Sequence, residues 1–359
     1  MPSSAPPSVA PLADPLRRTP LDARITSLLD AARTDPAFGT DVAATLSWAR
    51  SVGALAPRPG AGTAALWRLL AEAAAVDVTG ARILEPLLDA RAILAERAAE
   101  ADAPDAVRAL AEDRTTAWGV FAAEGPGLRV DARREDDGWR LTGTKPWCSL
   151  AGALDAALIT AWAGEERTLF AIDLGDPGAA ARPGPWHARG LAAVVSAPLD
   201  LDDVAAVAIG DPGWYLRRPG FAWGGMGVAA VWWGGAQPII DRIASAARGE
   251  RADQLSQAAA GRVAAASWAA SAVLADAAAA VDAGISGREA ALLAARVRAV
   301  VADAVRTVLE TEERVLGPGP VTVDEAHARR VADLGLYLRQ DHADRDLARL
   351  GRLDGEVRA

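Results

Sequence analysis

The residue pattern of this chain changes character twice, and this change constrains the fold more than any other feature. Residues 21–112 are rich in Ala and Leu with few helix breakers, which predicts helices. In residues 113–210, short runs rich in Val, Ile, Thr and Trp alternate with Gly, Pro and Asp turns, which is typical of strands. After residue 221 apolar residues again recur at helical spacing. The order of helices, strands and helices predicts an α+β protein.

The same pattern divides the chain into four segments. Residues 1–20 are rich in Pro and Ser and predict a flexible tail without the apolar centre of a secretory signal. The chain of 359 residues is long enough to bury cores in two or three further domains. We predict an N-terminal helical domain, a central β-domain and a C-terminal helical bundle at residues 21–112, 113–215 and 216–359.

Individual elements follow from local signals. Asp137 and Gly138 lie between two strand-like runs and predict a hairpin turn. Further strands are predicted at residues 156–162, 168–173 and 191–196. Long helices are predicted at residues 250–282, 286–316 and 324–350.

One uncharged segment, residues 219–240, has the length of a membrane span. It contains six glycines, two prolines and three tryptophans, so its helix propensity is poor. We therefore predict a Gly-rich turn that leads into a core helix, and no membrane span.

Charge, cysteine and histidine content exclude several classes of protein. Asp and Glu number 47 against 38 Lys and Arg, for a net charge of −9, and no basic block is present, so nucleic-acid binding is not predicted. Cys148 is the single cysteine, which excludes an intrachain disulfide and favours a reducing cytoplasm. His187, His327 and His342 lack metal-ligand spacing, so no metal site is predicted.

The most informative motif is the segment 141–160. Trp147 and Ser149 lie two residues apart on a predicted extended backbone, so their side chains are expected to point the same way. An aromatic plate beside a hydroxyl suits a flat, hydrogen-bonding ligand such as a flavin. Taken alone, Trp147 also fits a half-buried strand residue.

Residues 145–149 read Lys-Pro-Trp-Cys-Ser and precede Ala-Gly-Ala-Leu-Asp. This segment resembles the Lys-x-Trp/Phe-Ile-Thr/Ser and Gly-x-x-Ala-Asp pattern of the acyl-CoA dehydrogenase family. Asp77, Arg82, Glu85 and Asp89 match that family's Asp-x-x-x-x-Arg-x-x-Glu-Gly-His-x-Asn-Ala helix, with Pro-Leu in place of Gly-His. Residues 336–351 resemble the ends of divergent actinobacterial-type members.

The resemblance implies an N-terminal helical domain, a central β-barrel and a C-terminal four-helix bundle, with FAD between barrel and bundle. It implies a homodimer or homotetramer in which two subunits complete each FAD site. The residues that it places against FAD are Trp118, Trp147 and Ser149 at the ring, Arg251 at the pyrophosphate, and Gly317 and Gly319 at a neighbouring subunit's FAD. By the same match, Glu124 and Gly127 lie in the substrate loop, although the family's Gly-Ser-Asp is absent there.

The catalytic assignment places Asp341 where the family has a Glu base. Asp341 falls on one helical stripe with Leu334 and Leu338, at i, i+4 and i+7, so it is expected to face inward. Spacing of i,i+4 to Arg345 fits a surface ion pair equally well. The adjacent His342 is an alternative base.

The function that the resemblance implies is α,β-dehydrogenation of an acyl thioester, in which a carboxylate removes a proton and flavin accepts a hydride. The electron acceptor and the acyl carrier stay open. Two alternatives are kept: a flavin-dependent monooxygenase or oxidase of the same fold, and a non-catalytic subunit of a hetero-oligomer with a related chain.

Overall fold

The structure, a computed structural model, describes residues 14–136, 138–182, 184–250 and 252–358. The hairpin residue Asp137 and the predicted pyrophosphate ligand Arg251 lie outside these ranges. Pro15–Arg18 form a 3-10 turn in which Leu16 is fully buried. The folded helical region therefore begins before residue 20, where the sequence predicted a flexible tail.

Five helices precede the strands. They are α1 Ala23–Thr34, α2 Val42–Leu55, α3 Thr63–Val76, α4 Val78–Ala98 and α5 Asp105–Glu112. Asp22, Asp41 and Asp77 begin α1, α2 and α4, because each side chain accepts a hydrogen bond from a free backbone N–H of the first turn. The aspartates before the apolar runs thus determine where these helices start.

Seven strands follow. They are β1 Trp118–Phe121, β2 Val130–Glu135, β3 Gly138–Ser149, β4 Ala156–Ala163, β5 Glu166–Asp173, β6 Ala179–Ala181 and β7 Ser196–Ala208. They form one sheet in the order β1-β4-β2-β3-β7-β5, with β6 on β7. Because β4 also pairs with β5, the pairings run in a circuit through β4, β2, β3, β7 and β5. The β2–β3 hairpin is confirmed by its antiparallel register from Glu135 opposite Gly138.

Seven further helices complete the chain. They are α6 Trp214–Arg217, α7 Gly220–Ala246, α8 Gln254–Asp282, α9 Gly287–Leu316, α10 Gly319–Val323, α11 Glu325–Tyr337 and α12 Asp344–Arg358. The long helices predicted up to residues 282 and 316 are confirmed as α8 and α9.

Three sequence predictions of local structure are wrong. Residues 191–195 are outside any strand, with Leu191 at φ 50°, and the strand begins only at Ser196. The Gly-rich segment 219–240 is helical throughout α7, because its glycines allow close packing; a Cβ on Gly234 would meet the α3 backbone at Ala71. The helix predicted at 324–350 is interrupted between Tyr337 and Asp344.

The apolar core crosses the boundaries of the domains that the sequence predicted. The largest buried cluster contains residues from α1–α4 and from α7, α8, α9 and α11, including Trp67, Trp232 and Trp233. A second cluster lies inside the strand circuit around Leu141 and Phe170. A third joins α4 and α5 to the outer surface of β4 and β5. The helices before and after the sheet thus share one core.

The turn before β7 attaches the sheet to the helices. Asp333 on α11 accepts hydrogen bonds from the Leu191 backbone N–H at 2.5 Å and from Thr79 Oγ1 at 2.9 Å. A Cβ on Gly190 would lie 2.0 Å from the Ala332 carbonyl oxygen, so only glycine permits this approach. Burial raises the pKa of Asp333, and its hydrogen bonds oppose that shift.

Within the described ranges, one helix, Gln254–Asp282, is long and apolar enough by composition to cross a membrane. This helix is α8, and its buried residues belong to the shared helical core, as core helices of soluble proteins also do. The segment flagged from the sequence, residues 219–240, does not meet the same criterion.

Candidate functional site

Trp147 lies on the outside of a β-bulge. The β3–β7 register shifts between Lys145 and Cys148, and both of these residues are buried although they are three positions apart. The bulge inserts the extra residue that this spacing requires. Trp147 consequently has φ 58°, outside the extended region, and its side chain is 63% exposed. The expected extended backbone across Trp147 is therefore wrong, and a bulky residue at positive φ is strained.

The exposed Trp147 ring borders an apolar cavity of about 330 Å³, which we call the Trp147 cleft. This volume is at the lower end of the range for small-molecule sites, about 300–1,000 Å³. Its walls come from the turn after β1, the bulge, and the segment that leads into β7. The lining residues are Gly125, Pro126, Leu128, Pro146, Trp147, Gly184, Pro185, Trp186, Val195, Ser196, Ala197 and Pro198.

Ser149 connects this cleft to helix α4. Its Oγ lies 2.7 Å from Oγ of Ser196, which lines the cleft. It also accepts a hydrogen bond from Arg82 Nη2 at 3.3 Å. The sheet and α4 thus meet through a hydroxyl pair and a guanidinium group, both of which can donate to a ligand carbonyl.

Arg82 leads to a second group of polar side chains at the meeting point of α4, α11 and the sheet. We call Arg82, Glu85, Ser149 and Tyr337 the junction cluster. Tyr337 donates its hydroxyl to Glu85 Oε2 at 3.2 Å, and Arg82 Nη1 lies 3.6 Å from the same oxygen. Burial raises the pKa of Glu85, and the charge of Arg82 opposes that shift. Burial therefore favours the protonated form of Glu85 more than it does for an exposed carboxyl group.

Glu85 also lines a narrow path to the outside. Two adjoining cavities of about 230 Å³ and 30 Å³ share part of their lining, including Asp89, Trp223 and Gly224. We call their combined space the Asp89 channel. Its lining residues are Arg58, Pro59, Gly60, Ala61, Leu66, Trp67, Leu70, Glu85, Leu88, Asp89, Ala92, Ala95, Glu96, Arg218, Gly220, Trp223, Gly224 and Gly227.

Glu124, which the sequence predicted to bind substrate, instead pairs with basic residues of the sheet. It accepts a hydrogen bond from Nζ of Lys145 at 2.7 Å and lies 3.5 Å from Arg167 Nη1. Lys145 is 2% exposed and also donates to Thr160 Oγ1 and the Thr160 carbonyl oxygen at 2.8 Å. Burial lowers the pKa of Lys145, and the hydrogen bond to Glu124 opposes that shift. The structure gives Glu124 the role of counter-ion to a buried lysine.

Trp118 was predicted at the flavin ring and Gly127 in the substrate loop. Neither of them lines the Trp147 cleft. Trp118 packs in the core cluster that joins α4 and α5 to the sheet, and it lines a separate cavity of about 640 Å³. Its Nε1 is buried without a hydrogen-bond partner. Gly127 lies in an exposed turn at φ 71°, and a Cβ there would meet nothing within 4 Å.

Asp341 lies beyond the end of α11 and not on a helical stripe. It is buried and forms an ion pair with Arg306 of α9, and its Oδ2 also accepts from the Ala343 backbone N–H at 3.2 Å. The expected i,i+4 pair with Arg345 is absent among the described ion pairs. His342 is exposed, with Nδ1 3.7 Å from Asp346.

Gly317 follows the end of α9 and Gly319 begins α10, and neither borders the Trp147 cleft. Gly317 has φ 62°, which suits glycine at a helix C-terminus. The predicted contact of both glycines with a neighbouring subunit's FAD stays a prediction.

The sequence indicated the junction cluster without assigning it a role. Arg82, Glu85 and Asp89 belong to the helix pattern that matched the family, at a spacing that places Glu85 and Asp89 on one side of α4. Tyr337 lies in the C-terminal segment that also matched. No sequence signal brings Tyr337 to Glu85, because their contact joins residues 252 positions apart.

Among the described residues, no group of three or more His, Cys, Asp and Glu side chains could hold a metal ion. Burial raises the pKa of the Cys148 thiol to about 12, so this residue is protonated at neutral pH and is not a thiolate nucleophile.

No family model and no curated protein matches the sequence. Solved structures do match. KijD3, in complex with FMN and dTDP-3-amino-2,3,6-trideoxy-4-keto-3-methyl-D-glucose, superposes with a TM-score of 0.75 at 19% identity, covering 96% of this chain and 95% of that one. TdsC from Paenibacillus sp. A11-2, with FMN and indole, gives 0.73 at 16% identity, covering 91% and 94%. A glutaryl-CoA dehydrogenase from Mycobacterium smegmatis, with FADH2, gives 0.71 at 16% identity, covering 90% and 93%.

These likenesses extend over nearly the whole chain and show its fold. The protein is a mostly helical molecule with a small sheet and a helical C-terminal region, arranged as in acyl-CoA dehydrogenase-like proteins. TdsC is described as a dibenzothiophene monooxygenase, so the neighbours of this fold do not share one reaction.

The Trp147 cleft fits the ring end of a flavin. An exposed tryptophan held at positive φ, a second tryptophan and several prolines supply flat apolar walls. Ser196 supplies a hydroxyl to this lining, and Ser149 and Arg82 stand behind it in a chain of hydrogen bonds. The predicted ligand of the FAD pyrophosphate, Arg251, lies outside the described residues, so the fit applies to the ring alone.

Proposed function

We propose that this protein is a flavin-dependent oxidoreductase that oxidises a small organic substrate. The observation that carries the proposal is a continuous path of side chains from the Trp147 cleft through Ser149 and Arg82 to Glu85, which lines the Asp89 channel. The path places a flavin-sized cleft and a substrate-sized channel at the two ends of one polar junction. The flavin structures of the same fold support this assignment.

A bound flavin would supply hydride acceptance and, in its reduced form, reaction with O2. The chain's own residues then have separate tasks. Trp147 and Trp186 would enclose the ring, and Ser196 would face its polar edge, backed by the hydrogen bonds of Ser149 and Arg82. Glu85 holds or accepts a proton from the substrate, because burial raises its pKa and Tyr337 fixes its orientation. We propose FAD as the flavin, with FMN as the alternative.

Among the reactions of this fold, we propose oxygen-dependent oxidation of a polar substrate as the first candidate. Asp341, the expected base, is engaged by Arg306, and the channel lining includes the charged groups of Asp89, Glu96 and Arg218, which favour a polar substrate. Dehydrogenation of an acyl thioester is the second candidate, favoured by the buried carboxylate of Glu85, which can remove a proton.

We further propose that the chain forms a homo-oligomer, with two subunits completing each flavin site. The supporting feature is the outer face of α8, where Trp268 is 51% exposed amid a run of alanines. A related partner subunit is the alternative occupant of this face. The cytoplasmic location stays a prediction from the single cysteine.

The deciding experiment is the visible absorption spectrum of the purified protein under anaerobic conditions. We expect flavin bands that acyl-CoA thioesters leave unbleached and that recover on admission of O2 after chemical reduction. Bleaching by one thioester would select the dehydrogenase. A colourless protein that binds neither FAD nor FMN would refute the proposed function and favour a non-catalytic subunit.

Trp147→Gly tests the location of the flavin in the same assay. Glycine removes the aromatic wall and relieves the positive φ, so flavin affinity should fall about tenfold or more while the flavin-free protein is no less stable. Ala343→Gly is the matched control, because Ala343 also has positive φ, 49°, but lies away from the cleft. Unchanged flavin affinity in Trp147→Gly would place the flavin elsewhere.

A further inference from the structure

The Asp89 channel carries charged groups that transfer of a hydride does not require. Glu85, Asp89 and Glu96 occupy one side of α4 and all contribute to the lining. Arg58 and Arg218 are the basic residues of the same lining, so carboxylates outnumber guanidinium groups. The interior of the channel is therefore negatively charged when these acids are ionised.

Asp89 is the member of this set whose hydrogen-bonding capacity is unused. No described donor lies within hydrogen-bond distance of its carboxylate, and its nearest cation, Arg218 Nη2, is 3.8 Å away. Glu96, by contrast, accepts from Arg218 Nη1 at 2.7 Å and from the Gly220 backbone N–H at 3.1 Å. Glu96 thus accepts the hydrogen bond that Arg218 donates, and Asp89 still lacks a donor. The Asp89 side chain is 23% exposed, so a ligand that reaches it can supply the donor that the protein does not.

Two neighbours of Asp89 point to the shape of that ligand. The Arg218 side chain is 3% exposed and is held by Glu96 at 2.7 Å, so it stays 3.8 Å from Asp89 and donates no hydrogen bond to it. Trp223 Nε1 is bonded to the Ile285 carbonyl oxygen at 3.0 Å, which fixes the indole ring as part of the lining. A fixed aromatic face beside a carboxylate is a favourable environment for a cation.

The dimensions restrict the ligand further. The main cavity of about 230 Å³ is smaller than sites for drug-sized ligands, about 300–1,000 Å³. It suits a molecule, or the end of a molecule, with about one saturated ring. Gly224 keeps the path beside Asp89 open, since a Cβ there would lie 3.1 Å from the Asp89 Oδ1 atom.

We propose that the Asp89 channel binds the protonated amine of a small polar substrate through the Asp89 carboxylate and Trp223. This inference names the substrate class for the oxidation proposed above and rests on it. The amine end would enter the channel, and the remainder of the substrate would extend to the junction cluster, where Glu85 lies one helical turn from Asp89.

The test uses a pair of ring compounds that differ in one group, trans-2-aminocyclohexanol and trans-1,2-cyclohexanediol. Calorimetric titration of the full chain at neutral pH should show the amine binding about tenfold more tightly than the diol, because only the amine forms a charge-assisted hydrogen bond. Asp89→Asn should abolish this preference. Asp303→Asn, at an exposed position on α9, is the matched control and should retain it.

Three outcomes would overturn the proposal: equal binding of the two compounds, a preference for the amine that persists in Asp89→Asn, or binding of neither compound to the wild-type chain. Gly224→Ala gives a second measurement if Asp89→Asn does not fold. The added methyl group narrows the path at Asp89 and should weaken the binding of the amine.

The titration is made with flavin-free and flavin-loaded protein, so that this inference and the proposed function can fail separately. A preference for the amine in a protein that binds no flavin would leave the amine site standing and refute the oxidoreductase. Flavin binding with no preference for the amine would refute the amine site and leave the proposed oxidoreductase standing.

Discussion

At the scale of single residues, Glu124 was predicted to bind substrate, but it forms a structural ion pair with Lys145. Lys145 is almost fully buried, and Glu124 is its charged partner. Burial alone would raise the pKa of Glu124, but the hydrogen bond and charge of Lys145, together with Arg167, outweigh it and lower that pKa below 4.5. The pair therefore stabilises the folded protein above pH 4.5, and this contribution is lost as the pH falls through the lowered value.

Glu124→Gln should remove this contribution. We expect the free energy of unfolding at pH 7 to fall by about 1–2 kcal/mol, the range for a partly exposed charged hydrogen bond. The stability difference between variant and wild type should shrink toward acid, as measured by urea unfolding from pH 7 to pH 3. Glu166→Gln, at an exposed position on β5, serves as the control. If Glu124→Gln left stability unchanged and weakened substrate binding, Glu124 would be a substrate-binding residue as the sequence predicted.

At the scale of elements, the interruption between α11 and α12 changes the role that Asp341 can have. A continuous helix would place Asp341 on the stripe of Leu334 and Leu338, as expected of an inward-facing base. The chain instead leaves the helix at Tyr337 through a 3-10 turn, and Arg298 of α9 donates to the Gln340 carbonyl oxygen at 3.0 Å. Asp341 then pairs with Arg306, so that two arginines of α9 hold the interruption in place.

Asp341→Asn tests this structural role. Loss of the ion pair should destabilise the protein by about 1–3 kcal/mol, because Arg306 can partly recover water. Flavin reduction by substrate should change less than tenfold, whereas loss of a general base would cost about 10²–10⁴-fold. Thermal unfolding and stopped-flow reduction measure the two effects. A double-mutant cycle with Arg306→Met should show coupling between the two residues. A large loss of reduction rate at unchanged stability would identify Asp341 as the base.

At the scale of the whole molecule, the helices before and after the sheet share one core, and the sheet is fastened to them by the turn at Gly190 and by the junction cluster. Among the described residues, the outer face of α8 stays exposed. Trp268 lies on this face, and the inward face carries Val263, Leu274 and Val281. Exposed apolar surface of this kind favours association.

Trp268→Glu should therefore dissociate the proposed homo-oligomer. A charge at the centre of an apolar contact is strongly unfavourable, so analytical ultracentrifugation at micromolar protein should show the mass fall from a multiple of 37.1 kDa to the monomer. Leu347→Glu, at an exposed apolar position on α12, should leave the mass unchanged. A wild-type chain that is already monomeric would contradict the proposal, and co-purification with a related chain would favour the hetero-oligomer.

The sequence by itself determined the order of helices and strands, the β2–β3 hairpin, the strands at β4 and β5 and the long helices α8 and α9, because periodicity and turn residues act locally. It also identified the segment around Trp147 and Ser149. It did not reveal the bulge at Trp147, which follows from the need to bury both Lys145 and Cys148 against the rest of the sheet. Nor did it show that the glycines of α7 serve close helix packing, since that depends on the position of α3.

Only the tertiary structure decided which polar residues form a site. Glu85 and Tyr337, or Arg82 and Ser149, are far apart in sequence and meet because the helices on both sides of the sheet fold into one core. The same packing assigned Glu124 to Lys145, Asp341 to Arg306 and Trp118 to a different cavity. Local patterns specify elements through short-range sterics and hydrogen bonds, whereas the environment of a charge depends on everything that surrounds it in three dimensions.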